Sequence, residues 1–264
     1  MTPSELALLG MVFFATSVIS VVTGATSLIT VPALLLFGVE PRIAIATNML
    51  ALTSLSAGAT IPFLRDDGID RARSPTLIVL TVFSSAMGAF LVFAIPAEVL
   101  PPVIAVMMII IAGFVVLQPR AGIDPKNAPS SFGAATGYLT TFLLGIYGGF
   151  FSGGYVTLLT AAWVGFFQMP FRQAIGTTKL INAVSSFTAV VVFGWRGAVD
   201  WPLGLFLSLV MFVGGTVGAR VALGMSAVWL RRIFLSAVIL LAIKTLVADV
   251  PWTRLLACLG TNDA

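Results

Sequence analysis

The chain repeats itself, and this repeat limits its fold more than any other feature of the sequence. Residues 6–120 lie without gaps on residues 136–250 when they are shifted forward by 130 positions. Residues that recur after this shift include Gly24, Leu28, Thr30, Phe37, Arg42, Ala44, Ile45, Thr47, Phe63, Asp70 and Gly88. The unit is too long for a solenoid, whose period is roughly 20–50 residues. We therefore expect one repeat over 1–120, a linker over 121–135, a second repeat over 136–250 and a tail over 251–264.

Composition indicates that lipid surrounds both halves. Hydrophobic residues make up 59% of the chain and charged residues 9%, against roughly 25% charged in a soluble domain. A soluble core of this size could not hide so much apolar surface, so we expect an all-α polytopic protein of the plasma (inner) membrane. In such a chain, a two-fold repeat is typical of a secondary transporter, whose halves enclose one binding site near the middle of the bilayer.

Several kinds of site are excluded by what the chain lacks. It contains no histidine, and Cys258 is its single cysteine. Disulfides, most zinc and iron sites and Ser–His or Cys–His catalysis are therefore not expected, and no cofactor or metal is predicted. The 14 basic residues against 10 acidic ones indicate cytoplasmic loops rather than a nucleic-acid partner. All ten acids fall at segment ends or in loops, so no carboxylate is predicted at the membrane centre.

Both halves show the same order of apolar segments. They fall at about 6–22, 26–38, 44–64, 75–96 and 100–118, and again at about 136–152, 156–168, 173–195, 201–222 and 228–248. In each half the first two segments are separated by a break rich in glycine, serine and threonine, at 22–27 and 148–154. Such breaks survive in a membrane only inside protein or beside a wet cavity, and paired breaks indicate a transporter's binding site. The alternative is that the glycines merely allow close helix packing.

Positive charge distinguishes two topologies. If each broken segment crosses the membrane once, the halves are parallel and seven basic residues face four across the membrane. If each broken segment goes in and comes back out, either as a re-entrant hairpin or as two short crossings, the halves are inverted. Eight basic residues then face three, which is the stronger positive-inside bias. The eight are Arg65, Arg71, Arg73, Arg120, Lys126, Arg172, Arg231 and Arg232; the three are Arg42, Arg196 and Arg254. We therefore predict inverted repeats with broken, re-entrant-type helices, a cytoplasmic linker and both termini outside the cytoplasm.

The order of several motifs resembles that of the TauE/SafE sulfite exporter family. The likeness is strongest at 145–154, 171–179 and 194–201, and a weaker copy lies at Gly24, 31–34, 44–48 and 68–70. It covers nearly the whole chain and implies export of a small sulfur-containing anion, sulfite or an organosulfonate such as sulfoacetate. The chain departs from the family's pattern at Gly24-Ala25-Thr26, where the usual glycine cluster is diluted, and at Ala162, which stands opposite Pro32.

The candidate binding residues lie in the breaks and in the segments that follow them. Helices that start after Gly24 and Gly154 would aim positive N-terminal ends at an anion. Lys179 is the least ordinary candidate, since a lysine well inside an apolar segment is either functional or snorkels to the interface. The predicted substrate-binding set is Thr23, Gly24, Thr26, Thr47, Asn48, Ser152, Gly153, Gly154, Thr177, Thr178, Lys179 and Asn182. Arg42 and Arg172 are interpreted as interface anchors or as residues at the pathway mouths.

The sequence thus predicts a carrier of a small anion. An anion channel is one alternative, and a membrane-embedded enzyme or a non-transport assembly subunit is another. The lack of histidine and of paired acids inside the apolar segments argues against an enzyme.

Overall fold

The computed structural model describes residues 1–96 and 131–226, together with Trp229, Arg232 and Ser236. The expectations for Arg120, Lys126, Arg231 and Arg254, and for the segments at 100–118 and 228–248, lie outside these residues. The described part is helical, without strands. Its helices are α1 (Pro3–Thr23), α2 (Ser27–Leu36), α3 (Pro41–Arg65), α4 (Ser74–Ala94), α5 (Ser131–Phe150), α6 (Tyr155–Phe166), α7 (Phe171–Trp195) and α8 (Trp201–Gly224).

Local sequence explains where these helices begin and end. A capping box of Thr2 and Glu5 starts α1, and Gly24 in the left-handed conformation ends it. Helix α3 begins with Pro41 after Glu40, whose side chain accepts from the Ile43 N–H. Proline at the first helical position and an acceptor just before it are both favourable, since the first N–H groups lack helical partners. Helix α5 begins at Ser131, inside the range predicted as linker.

Five of the described helices, α1, α3, α4, α7 and α8, are long and apolar enough to cross a membrane. The expectation of a multi-pass, all-helical protein is therefore confirmed. Helices α2 and α6 have only 10 and 12 residues, or roughly 15 and 18 Å at 1.5 Å per residue, and cannot cross alone. Helix α1, with 21 residues, is long enough for a full crossing before the break begins.

The last described helix of each half packs against the other half. Helix α8 lies on α1 and α3, whereas α4 lies on α5 and α7. Small residues make these contacts close: a Cβ on Gly214 would meet Ser17 Oγ, and one on Gly145 would meet Ser84 Oγ. Small residues at helix interfaces are the usual means of tight packing in lipid. The halves are therefore interleaved rather than placed side by side.

Helices α3 and α7, which correspond in the repeat, run in opposite directions. The Thr47 hydroxyl near the start of α3 accepts from the Asp200 N–H after α7, at 3.1 Å. The Thr177 hydroxyl near the start of α7 accepts from the Asp70 N–H after α3, at 2.9 Å. Each helix thus begins beside the end of its counterpart.

Helices α1 and α3 both run parallel to α8. Along α8, Gly214 and Gly218 meet successive turns of α1, while Gly204 and Gly215 meet Leu50 and Leu55 of α3. Since α1 and α3 share one direction, the chain between them must return, and α2 provides this return. In the second half, α5 and α7 both run parallel to α4, so α6 provides the corresponding return.

Candidate functional site

The two broken segments meet inside the helix bundle. The Thr157 hydroxyl of α6 donates to the Thr23 carbonyl at the end of α1, at 2.6 Å. A Cβ on Gly24 would lie 2.7 Å from the Thr157 backbone nitrogen, and one on Gly153 would lie 2.7 Å from a Leu28 methyl group. The predicted break residues of the two halves are therefore brought together.

Backbone conformation at the breaks sets the helix ends there. Gly24 (φ 72°), Ser152 (φ 63°) and Gly154 (φ 75°) all adopt the left-handed region, which glycine enters without cost and serine rarely does. Helix α2 begins three residues after Gly24, and α6 begins directly after Gly154. The predicted helix starts after the breaks are thus present, and each lies beside the C-terminus of the preceding helix.

Lys179 is buried, with 1% of its surface exposed. Its Nζ donates to the Ser20 carbonyl in the last turn of α1, at 2.9 Å. Ser20 O also accepts from the Gly24 N–H, at 2.8 Å. A cation at a helix C-terminus interacts favourably with the helix dipole, but none of the described acidic side chains forms an ion pair with Lys179. The ammonium has three donors, and one of them is used here.

Asn182 lies on the same face of α7 as Lys179 and extends the polar site. Its Nδ2 donates to Ser56 Oγ of α3 at 2.6 Å, and its Oδ1 accepts from Ser152 Oγ in the second break at 3.3 Å. Asn182 therefore joins the second break to helices α3 and α7. The side chain is 2% exposed, so its polar atoms depend on these partners.

A second amide occupies the first half. Asn48 Nδ2 donates to Ser27 Oγ at the start of α2 (3.0 Å), and Asn48 Oδ1 accepts from Thr30 Oγ1 (2.7 Å). The corresponding pair in the second half, Thr160 and Thr178, lies at 3.4 Å. The contacts of Asn48 tie α2 to α3, and the contact between Thr160 and Thr178 ties α6 to α7. These residues therefore fix the positions of the two short helices.

Other predicted residues lie apart from the breaks. Thr47 and Thr177 bond the turns that follow α7 and α3, as described above. Arg42 donates to the Ile95 carbonyl beyond α4, at 2.7 Å. Arg172 pairs with Asp66 at the opposite end of the bundle. Thr26 is buried at the N-cap of α2, but its side chain makes no capping bond.

Several residues of the site do not stand out in the sequence. Ser56 and the Ser20 carbonyl were not predicted, although they are the direct partners of Asn182 and Lys179. From the sequence, Thr30 stands out only because it recurs as Thr160 in the second half. This recurrence on two apolar helices indicates a polar contact in each half, because a buried hydroxyl needs a hydrogen-bond partner.

The described residues hold no group of His, Cys, Asp and Glu side chains suited to a metal ion. Asp70 is a buried acid, but it accepts from Arg73 at 2.6 Å and from the Ala72 and Arg73 N–H groups. The polar contacts at the breaks therefore come from one ammonium, amides, hydroxyls and backbone ends, whose N–H and O–H groups can donate to a small anion.

Among the described residues, membrane-spanning helices surround two touching breaks with one buried ammonium beside them, an arrangement typical of multi-pass membrane transporters. The sequence matches the family model for the sulfite exporter TauE/SafE over residues 8–245. The chain belongs to this family, and its place is the inner membrane of bacteria.

Curated relatives are named as probable membrane transporters. The probable membrane transporter protein YfcA of Escherichia coli K12 is 28% identical over 97% of this chain and 95% of its own length. The probable membrane transporter protein ORF9 of Sinorhizobium is 28% identical over 91% of this chain and 92% of its own. A probable membrane transporter protein of Haemophilus influenzae is 26% identical over 83% and 85%. No solved structure matches the chain significantly.

Proposed function

We propose that the protein exports a small sulfur-containing anion, sulfite or an organosulfonate such as sulfoacetate, from the cytoplasm. The observation that carries this proposal is Lys179, a buried ammonium without an acidic partner among the described residues, at the point where the two breaks meet. A charge inside a membrane protein is costly, so a buried charge usually serves to bind a substrate or ion. The family's description as a sulfite exporter supports the choice of substrate.

The two halves, 1–120 and 136–250, form inverted repeats around this site in our proposal. The opposed directions of α3 and α7 support the inversion. So do the returns along α2 and α6, because they let each half cross, turn back and cross again. One pseudo-two-fold axis in the membrane plane then relates the breaks, which is the usual arrangement in transporters with inverted repeats.

Charge supports an orientation. The end of the bundle where Arg172 meets Asp66 also carries Arg65, Arg71 and Arg73. At the opposite end Arg42 reaches Ile95, and Arg196 lies over Phe93. We assign the first, more basic end to the cytoplasm. Lys179 lies two turns into α7 from that end, where it would meet an anion entering from the cytoplasm.

A ligand screen on purified protein tests the proposal. Sulfite, sulfoacetate, taurine and sulfate are titrated while the melting temperature is followed, since a ligand that binds only the native state raises it. We expect sulfite or sulfoacetate to raise the melting temperature of the native protein and to leave that of Lys179→Met unchanged. A shift of equal size in both proteins would contradict a role for Lys179 in binding. Saturable exchange across proteoliposomes then separates a carrier from a channel.

A further inference from the structure

A second buried polar cluster lies deeper along α7. It consists of the hydroxyls of Thr81 and Ser85 on α4, Tyr155 at the start of α6 and Ser185 on α7; we call these four residues the hydroxyl cluster. Ser85 Oγ and Ser185 Oγ lie 2.7 Å apart, and Ser85 also donates to the Gly145 carbonyl at 3.2 Å. Thr81, Ser85, Tyr155 and Ser185 are all fully buried.

Two hydroxyls of the cluster have no hydrogen-bond partner among the described residues. Ser185 and Thr81 are polar neighbours of the Tyr155 hydroxyl. Nevertheless, neither Tyr155 Oη nor Thr81 Oγ1 completes a hydrogen bond with a described protein atom. A buried donor without a partner is destabilising and calls for an explanation, such as a bound ion or water. Both hydroxyls thus retain hydrogen-bonding capacity for a ligand.

The repeat shows that the architecture does not need this cluster. The positions that correspond to these four in the repeat are Ala25 and Leu55 in the first half and Met211 and Gly215 in the second, none of which carries a hydroxyl. The same helix packing is therefore achieved there without polar side chains. The cluster, formed by residues of both halves, therefore occurs at only one of the two places related by the repeat. The same is true of Lys179, whose counterpart is Met49.

The local field favours an anion as the ligand. Tyr155 is the first residue of α6, where the helix dipole is positive. Lys179 lies six residues before Ser185 on α7, which is about 9 Å along the helix axis. Asn182 lies one turn before Ser185 on α7 and accepts from Ser152 in the break. The described carboxylates all lie at helix ends or in loops, and hydroxyls can donate to an anion.

We propose that the hydroxyl cluster is a second binding position for the transported anion, which moves there from Lys179 on its way through the protein. This inference rests on the proposed anion transport and deepens it. Two sites of moderate strength let an anion enter and still leave, whereas a single strong charge would trap it. The cluster supplies hydrogen-bond donors without a formal charge, as the second step of such a path requires.

The test compares saturated flux with half-saturation for sulfite in proteoliposomes. Tyr155→Phe and the double variant with Thr81→Val should lower saturated flux about tenfold, the effect of losing a hydrogen bond to a charged group. The half-saturating concentration should change less than about twofold, because Lys179 still receives the anion. Lys179→Met should instead raise the half-saturating concentration. Tyr138→Phe, which removes a hydroxyl from a ring packed on Phe167, is the matched control and should resemble native protein.

The outcomes that would overturn the inference are distinct. Native flux in the double variant, together with a raised melting temperature, would show that the cluster is only a structural site for water. If transport by the native protein depends on sodium and Tyr155→Phe loses this dependence, the hydroxyl cluster binds a cation. If native protein neither binds nor moves any of the four screened compounds, the proposed function fails and the second position fails with it.

Discussion

Lys179 and Asn182 lie one turn apart on α7, and their counterparts on α3 are Met49 and Leu52. The polar centre of the molecule is therefore supplied mainly by one of the two corresponding helices. Two partners of Lys179 and Asn182, the Ser20 carbonyl and Ser56 Oγ, belong to the first half. The site is asymmetric in charge although the backbone around it repeats, so substitutions that copy a residue of the other half make natural tests.

Lys179 could bind the anion or only anchor the end of α1, and the two roles predict opposite effects of its replacement on the melting temperature. Lys179→Met, which copies the first half, removes an uncompensated buried charge and should leave the ligand-free melting temperature unchanged or raised. It should also abolish the shift caused by the anion, while Lys179→Arg should retain part of it. A melting temperature that falls while apparent affinity for sulfite is unchanged would show that the lysine only anchors the end of α1.

Thr47 and Thr177 each hold the turn that follows the opposite central helix. Thr47→Val and Thr177→Val leave a buried N–H without an acceptor, so each should lower the free energy of unfolding by about 1–3 kcal/mol. Because the two bonds lie at opposite ends of the bundle, the losses should add. Chemical unfolding of the single and double variants measures this. A loss of anion affinity with stability unchanged would instead support the predicted role of Thr47 and Thr177 in binding.

The breaks are the elements that set the binding geometry. At Gly24 the backbone is left-handed and Thr157 lies against the position of a Cβ. Helices α1, α2 and α6 therefore depend on one residue for their mutual approach. Small displacements there would also move the Ser20 carbonyl away from Lys179.

Gly24→Ala should accordingly reduce both stability and transport. The left-handed conformation alone costs a non-glycine residue about 1–2 kcal/mol, and the clash with the Thr157 backbone adds to it. Gly165→Ala is the control, because a Cβ at Gly165 within α6 meets nothing within 4 Å; it should stabilise the helix slightly. Equal melting temperatures and fluxes for the two variants would contradict the close contact between the breaks.

Most helices could be predicted from the sequence, because apolar length and punctuation determine them. The segments expected at 44–64 and 173–195 are α3 (Pro41–Arg65) and α7 (Phe171–Trp195). The contacts between halves could not be predicted. The bond from Asp200 to Thr47 joins residues far apart in sequence, and nothing near either residue shows its partner. Lys179 was found because charge is rare in lipid, whereas Ser56 looked like any small residue of a packed helix.

At the scale of the whole molecule, orientation can be measured directly. Arg71 and Arg196 are exposed at opposite ends of the bundle. In a Cys258→Ser background, Arg196→Cys should react with an impermeant thiol reagent on whole cells, whereas Arg71→Cys should react only after lysis. The reverse pattern would place the more basic end outside and contradict the proposed orientation.

Voltage can drive export in the proposed mechanism. A monovalent anion that leaves a cell with a negative interior gains about 2.3 kcal/mol per 100 mV. At about 150 mV, roughly 3.5 kcal/mol per charge supports a gradient of a few hundred-fold. We expect electrogenic flux in proteoliposomes that follows voltage and changes little when a pH gradient is collapsed at fixed voltage. Flux that stops without a proton or sodium gradient would reveal a coupling site.

The interleaving of α4 and α8 has a consequence for biogenesis. During synthesis α1 and α3 enter the bilayer well before their neighbour α8 has been made. Likewise, α4 is inserted before its neighbours α5 and α7. Until the last segments are inserted, the glycine and serine faces of these helices meet lipid or the wrong helix. Maturation is therefore a late, long-range step. A ribosome that stops after the first half leaves a polypeptide in which α4 lacks its native neighbours α5 and α7, which makes it a substrate for membrane quality control.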